Sequence, residues 1–153
     1  MTMIDISDKP EILRKATASG TISLKPETIQ LIKKGKIAKG DPLYASKIAA
    51  ILAAKRTSSL IPLCHPIPIT KVEVETTVVD ESNVQVTATV KTKAQTGIEM
   101  EALTATATGL LTIWDMVKMY EKDAKGQYPT TKIEDVHVVR KTKAAARKKE
   151  PKE

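Results

Sequence analysis

The sequence has a single cysteine, Cys64, no phenylalanine, one tryptophan and three tyrosines. A lone thiol closes no internal disulfide, so a reducing, cytoplasmic setting is expected. So few aromatic rings leave little on which to stack nucleobases. The six glycines are scattered, and neither a P-loop nor a GxGxxG pattern occurs, so no backbone cradle for phosphate is encoded. The longest apolar run, Ile48 to Ala54, is far too short to cross a bilayer. Residues 1–10 carry two aspartates and no apolar core, so neither a targeting segment nor a membrane partner is expected. The two histidines, His65 and His137, lie far apart, and Cys64 adjoins His65. No zinc spacing results, and no metal or other cofactor is expected.

What remains is one ordinary domain of 153 residues, 41% hydrophobic and 28% charged, with enough apolar material for a core. The formal net charge is +7, but between Arg140 and Glu153 stand seven Lys/Arg against two Glu. Only +2 is left to the body. Residues 1–143 are read as one α+β domain and 144–153 as a basic tail. That tail is either a solvated end or a nucleic-acid arm. A mildly basic body favours small anions as partners over an extended nucleic-acid face, and a small basic nucleic-acid-binding domain is the competing reading.

The periodicities predict the order β-α-α-β-β-α-β. Glu11–Leu24 reads as a strand, and Pro26 opens a short amphipathic helix ending at Gly35. In "KGD", Lys39–Asp41, a turn delivers Asp41 as N-cap of a second helix with Pro42 in its first position. That helix is expected to carry Leu43, Ile48, Ile51 and Leu52 on one side and to end by Pro62. Val72/Val74 alternate with Glu73/Glu75, and Val84/Val86/Ala88/Val90 with polar residues, giving two strands around a turn at "DESN", Asp80–Asn83. A long helix opens at Gly97, and "TKIEDVHVVRK" closes the fold as a strand. An antiparallel sheet with helices on one face, a ferredoxin-like layer, is the architecture this order suggests.

Three places stand out. The segment "LIPLCHPIPIT", Leu60–Thr70, sets three prolines, Cys64 and His65 among aliphatics, with no charge. His65 there is either a packed core imidazole or a group addressing a ligand. The long helix carries a stripe of Met100, Leu103, Ala107, Leu110, Trp114 and Val117, while "TATATG", Thr104–Gly109, makes its other side small and uncharged. Such a side is covered either by the chain itself or by another subunit. Finally, Asp115 and Lys118 are one turn apart. They are either a surface ion pair or a proton-transfer pair in a covered place, and as acid/base group Lys118 would need its pKa lowered by burial against the pull of Asp115. With no backbone phosphate cradle, an anion would rest on side chains such as Arg14, Lys39, Lys55 and Arg56.

"AAKRT…LIPLCHP" (Ala53–Pro66), "TGIEMEALTA" (Thr96–Ala105) and "IWDMVK" (Ile113–Lys118), with "KGD" and "MIDIS" at Met3, resemble the cyclic pyranopterin monophosphate synthase family, the MoaC-type enzymes of molybdenum cofactor biosynthesis. The resemblance spans about residues 3 to 141. It implies a ferredoxin-like fold and a homohexamer, a trimer of dimers, with active sites between subunits. The implied reaction rearranges 3′,8-cyclo-7,8-dihydroguanosine triphosphate into cyclic pyranopterin monophosphate with loss of pyrophosphate. By the same resemblance Asp115 and Lys118 are catalytic. Leu63, Cys64, His65, Glu99, Met100, Glu101, Arg14, Lys39 and Lys55 bind substrate. Lys141 matches a mobile-loop lysine, although the glycines that follow it in many relatives are absent here. The prolines are then read as stiffening a loop that the site needs in one conformation.

Overall fold

The computed structural model describes residues 1–144. Most of the expected basic tail, 145–153, lies outside the described residues. The elements are β1 (Ile12–Ser23), α1 (Pro26–Lys33), α2 (Pro42–Lys55), α3 (Thr57–Leu60), β2 (Ile69–Val78), β3 (Asn83–Ala94), α4 (Glu99–Glu121) and β4 (Lys132–Ala144). The expected order holds, with the one-turn α3 added. It arises because α2 stops at Lys55, well before Pro62, and Thr57 restarts the helix by donating its hydroxyl to the carbonyls of Ala53 and Ala54.

The sheet order is β2-β3-β1-β4, every neighbouring pair antiparallel. β3 lies between β1 and β2, which is the ferredoxin-like split β-α-β. Alternation sets the faces. Ala16, Ala18 and Ile22 of β1 and Val84, Val86, Ala88 and Val90 of β3 are buried beneath the helices, while Lys15, Gln85 and Lys91 point to the open side. The register also sets Arg14 opposite Thr92 on one side and Lys143 on the other, which brings the end of β4 to the end of β3.

The helix faces differ from the simple periodic reading. In α2 the buried residues are Pro42, Ser46, Ala50, Ala53 and Ala54, whereas Tyr44, Ile48 and Leu52 are 65%, 46% and 45% exposed. In α4 the buried side includes Ala102, Ala105, Thr106 and Gly109 together with Leu110, Ile113 and Val117, and Met100 stands partly exposed. The reason is distance: α2 and α4 cross closely, so small residues fill the contact and the large aliphatics of α2 turn outward. The small side of the long helix is therefore covered in part within the chain, with Ala105, Thr106 and Gly109 buried and Thr104, Ala107 and Thr108 half-buried.

Asp41 caps α2 as expected, its carboxylate accepting from the amides of Leu43 and Tyr44. Helix α1 has no side-chain cap of its own. Glu121, fully buried at the end of α4, serves instead. Its carboxylate accepts from the Lys25 amide at 3.1 Å, from the Thr131 hydroxyl at 2.7 Å and from the Thr28 hydroxyl. One carboxylate thereby joins α4, the start of α1 and the entry to β4.

Candidate active site

A cavity of about 770 Å³ opens where β1, β4, the β3–α4 loop and the proline-rich segment meet. That is ample for a nucleotide-sized ligand. Its walls include Arg14, Leu63, Cys64, His65, Glu99, Met100, Glu101 and Lys141. Eight of the twelve residues that the resemblance assigns to the site thus meet in one place, although residue numbers from 14 to 141 separate them. Lys141 reaches it despite the missing glycines, its ammonium 2.7 Å from Glu99.

Each wall has a local cause. Arg14 is fixed by donating to the carbonyls of Ala94 and Gln95 at 3.1 and 3.3 Å, so its guanidinium is held at the end of β3. Thr96 and Gly97 turn the chain into α4, whose first turn presents Glu99, Met100 and Glu101. The turn at Ile61–Cys64 leads out of α3, with the Cys64 amide donating to Ile61, and delivers Leu63, Cys64 and His65. Sequence reasoning missed Ile4, Ile6, Lys9, Gln95 and Thr96 as walls. Only "MIDIS" and the "T" of "TGIEMEALTA" pointed toward them.

The electrostatics are uneven. Glu101 is 3% exposed, and its pKa is raised, first by burial and further by the charge of Glu99. For Glu99 burial also favours the neutral form, but the hydrogen bond from Lys141 and the nearby Arg14 outweigh it and hold its pKa below the usual carboxylate range. Burial likewise pushes the Cys64 thiol up, with Glu101 adding to it. Two carboxylates two residues apart thus have their pKa values shifted in opposite directions.

Asp115, Lys118 and Lys39 form a second cluster. Asp115 receives Lys118 at 2.8 Å on one oxygen and Lys39 at 2.7 Å on the other, and Lys39 also donates to the Asp115 carbonyl at 2.9 Å. The "KGD" turn is pinned there by the Ala38 amide, which donates to the Tyr120 hydroxyl at 2.8 Å. Two hydrogen-bonded ammonium groups, Lys118 first, hold the Asp115 pKa down to about 2. The same contact raises that of Lys118. Within one chain the pair is about half exposed, and Lys118 is held more firmly protonated, the opposite of what an acid/base role would need. Burial does not outweigh Asp115, because the described residues leave the pair about half open to solvent.

The clusters are far apart. Glu101 and Asp115 are fourteen residues apart on one helix, about 21 Å along its axis. Lys55 joins neither; it borders a separate depression of about 420 Å³ with Ile51, Ile67, Ile69, Thr70, Lys71 and Val72. Among the described residues no three His, Cys, Asp or Glu side chains gather as metal ligands, and no helix is long and apolar enough to cross a membrane.

Comparison with known proteins places these motifs in context. The model of the MoaC family matches residues 3–144. A protein of Pyrococcus horikoshii named probable cyclic pyranopterin monophosphate synthase is 57% identical over 141 residues, covering 92% of this chain and 88% of that one. Proteins of the same name from Pyrococcus furiosus and Sulfolobus acidocaldarius are 55% and 53% identical, covering 92% and 93% of this chain and 90% and 99% of their own.

Proposed function

This chain belongs to the MoaC family, and we propose that it is a cyclic pyranopterin monophosphate synthase acting in molybdenum cofactor biosynthesis. Its substrate is the cyclised, GTP-derived triphosphate 3′,8-cyclo-7,8-dihydroguanosine 5′-triphosphate. The guanine ring system is opened and reclosed as a pyranopterin. A sugar hydroxyl attacks the α-phosphorus, its proton passes to a base, the bond to the β-phosphate oxygen breaks and pyrophosphate leaves. These are proton transfers and charge neutralisation, which positioned acids, bases and cations supply.

The observation that carries this reading is the gathering of Arg14, Cys64, His65, Glu99, Met100, Glu101 and Lys141 around one nucleotide-sized cavity. Arg14 and Lys141 offer the phosphates fixed cations. Glu101, buried in the cavity wall with its pKa raised, is placed to hydrogen-bond the ring system of the substrate. The ammonium groups of Lys39 and Lys118, both paired with Asp115, suit the charge that develops as pyrophosphate departs.

The separation of the two clusters supports an active site shared between two copies. In that arrangement the Lys39–Asp115–Lys118 cluster of one subunit faces the cavity of another, within a homohexamer built as a trimer of dimers. The exposed row Tyr44, Ile48 and Leu52 on α2 supplies an apolar surface for such an assembly. Covering the pair and adding another subunit's cations would bring the Lys118 pKa down toward the working range, which one chain alone does not do. Lys55, outside the cavity of its own chain, is read as a substrate contact made only in the assembly.

The test is turnover. Purified protein given the cyclised triphosphate is expected to release pyrophosphate and cyclic pyranopterin monophosphate in equal amounts. Folded, assembled protein that leaves the substrate intact would contradict the reading.

A further inference from the structure

The segment before β1 is not needed for the core, yet it lies across the cavity. Thr2, Ile4 and Ile6 form part of its wall. Much of the segment is open to solvent, with Met3 and Ile4 40% and 69% exposed, so apolar burial does not account for where it lies. Specific hydrogen bonds do. The Ile4 carbonyl lies 2.7 Å from Nε2 of His65, and the Ser7 carbonyl accepts from Nε2 of Gln95 at 3.2 Å. Between them Asp5 accepts from the amide and hydroxyl of Ser7 at 2.9 and 2.6 Å, and the Lys9 amide donates to Ile6 at 3.0 Å. These short-range bonds stiffen the segment into one shape.

A carbonyl oxygen can only accept, so the proton of that contact belongs to His65 Nε2. In the neutral ring Nδ1 is then the bare nitrogen, the atom through which the imidazole takes a hydrogen bond or a proton from a ligand. We propose that residues 1–8 act as a strap that seats His65, the Ile4 carbonyl fixing the ring in its Nε2–H tautomer and so presenting Nδ1 as the acceptor in the substrate cavity. The strap is a positioning element, and "MIDIS" is its working part. The consequence for turnover rests on reading His65 as a substrate-binding group; the tautomer does not.

The chain has only two histidines, which makes the test simple. His137 offers the opposite contact, its Nδ1 being 2.7 Å from the Asp135 carbonyl. Histidine-selective ¹⁵N labelling of the full chain at about pH 9, where imidazoles are neutral, is expected to give one ring of each tautomer. His137→Gln assigns the signals. In a chain whose Met1 is followed directly by Asp8, the His65 signal is expected to move to a tautomer average while His137 is unchanged. Turnover of the cyclised triphosphate should then fall by on the order of tenfold to a hundredfold, the scale of a misplaced group. The full-length double variant Ser7→Ala/Gln95→Ala, which loosens the strap without removing it, should shift both readouts the same way and serves if the shortened chain does not fold. A His65 signal that is already averaged in the full chain, that stays locked in the variants, or that unlocks without loss of turnover would overturn the proposal. If no form turns the substrate over, the enzyme reading fails, while the tautomer comparison still decides the seat.

Discussion

Ser46 and Gly109 meet where α2 crosses α4: the Ser46 hydroxyl donates to the Gly109 carbonyl at 2.9 Å. The Ser46 Oγ would lie 2.9 Å from a Cβ on residue 109, and a Val86 methyl 3.1 Å from it. Alanine is normally the better helix residue by up to about 1 kcal/mol. Here overpacking, which costs about 1–3 kcal/mol, outweighs that gain. Gly109→Ala is therefore expected to lower the denaturation midpoint. A stabilised variant would show that the two helices have more room than this crossing allows.

Glu121 ties three segments together through one buried carboxylate. Removing it leaves the Lys25 amide and the Thr28 and Thr131 hydroxyls without their acceptor. Hydrogen bonds to a charged group are worth about 1.5–3 kcal/mol each. Glu121→Ala should cost about 3 kcal/mol or more in chemical denaturation, and Glu121→Asp, one methylene short, should recover only part. A loss within error of zero would mean that water replaces the carboxylate without penalty.

Glu101 is expected to trade stability for function. Its pKa is raised in the folded chain, so folding disfavours the charged form. The sign follows: the folded state loses stability as pH rises from the unfolded carboxylate value through the folded one, and at neutral pH carries a burden that glutamine would lift. Glu101→Gln should melt at the same temperature or higher at pH 7 while substrate turnover drops. A destabilised variant would argue that Glu101 is a structural partner.

Asp115 raises the Lys118 pKa through their hydrogen bond. Asp115→Asn should therefore lower it, and a limb of the pH–rate profile that reports Lys118 should move to lower pH. An unmoved limb, or one moved upward, would dissociate Lys118 from that titration.

How much of this was legible in the residues depends on range. The strands, the Asp41 cap and the order of elements follow from local alternation and turn chemistry, and they stand as expected. The side of α2 that packs did not follow, because Ile48 and Leu52 are the more hydrophobic choice and only the nearness of α4 makes the alanines the buried ones. The signal was present in small residues on both helices, Ala50, Ala53 and Ala54 on one and Ala102, Ala105 and Gly109 on the other. Arg14, His65, Glu101 and Lys141 could be grouped only by their resemblance to a family, since strand register and a loop crossing bring them together. Glu121 looked like any glutamate at a helix end. Its burial depends on residues 25, 28 and 131, which no periodicity links. The lowered Lys118 pKa that an acid/base role would need is not seen within one chain, where the pair is about half exposed.

The shared active site is tested most directly by mixing two disabled chains. His65→Ala removes a cavity group and Lys118→Ala a group of the distant cluster, so each homo-oligomer should be inactive. After dissociation and reassembly together, a two-fold pairing gives mixed dimers in which one of the two sites is intact, and about a quarter of wild-type pyrophosphate release is expected. No recovery in properly mixed oligomers, or near-normal release by either variant alone, would contradict a site built from the cavity of one chain and the Lys39–Asp115–Lys118 cluster of another.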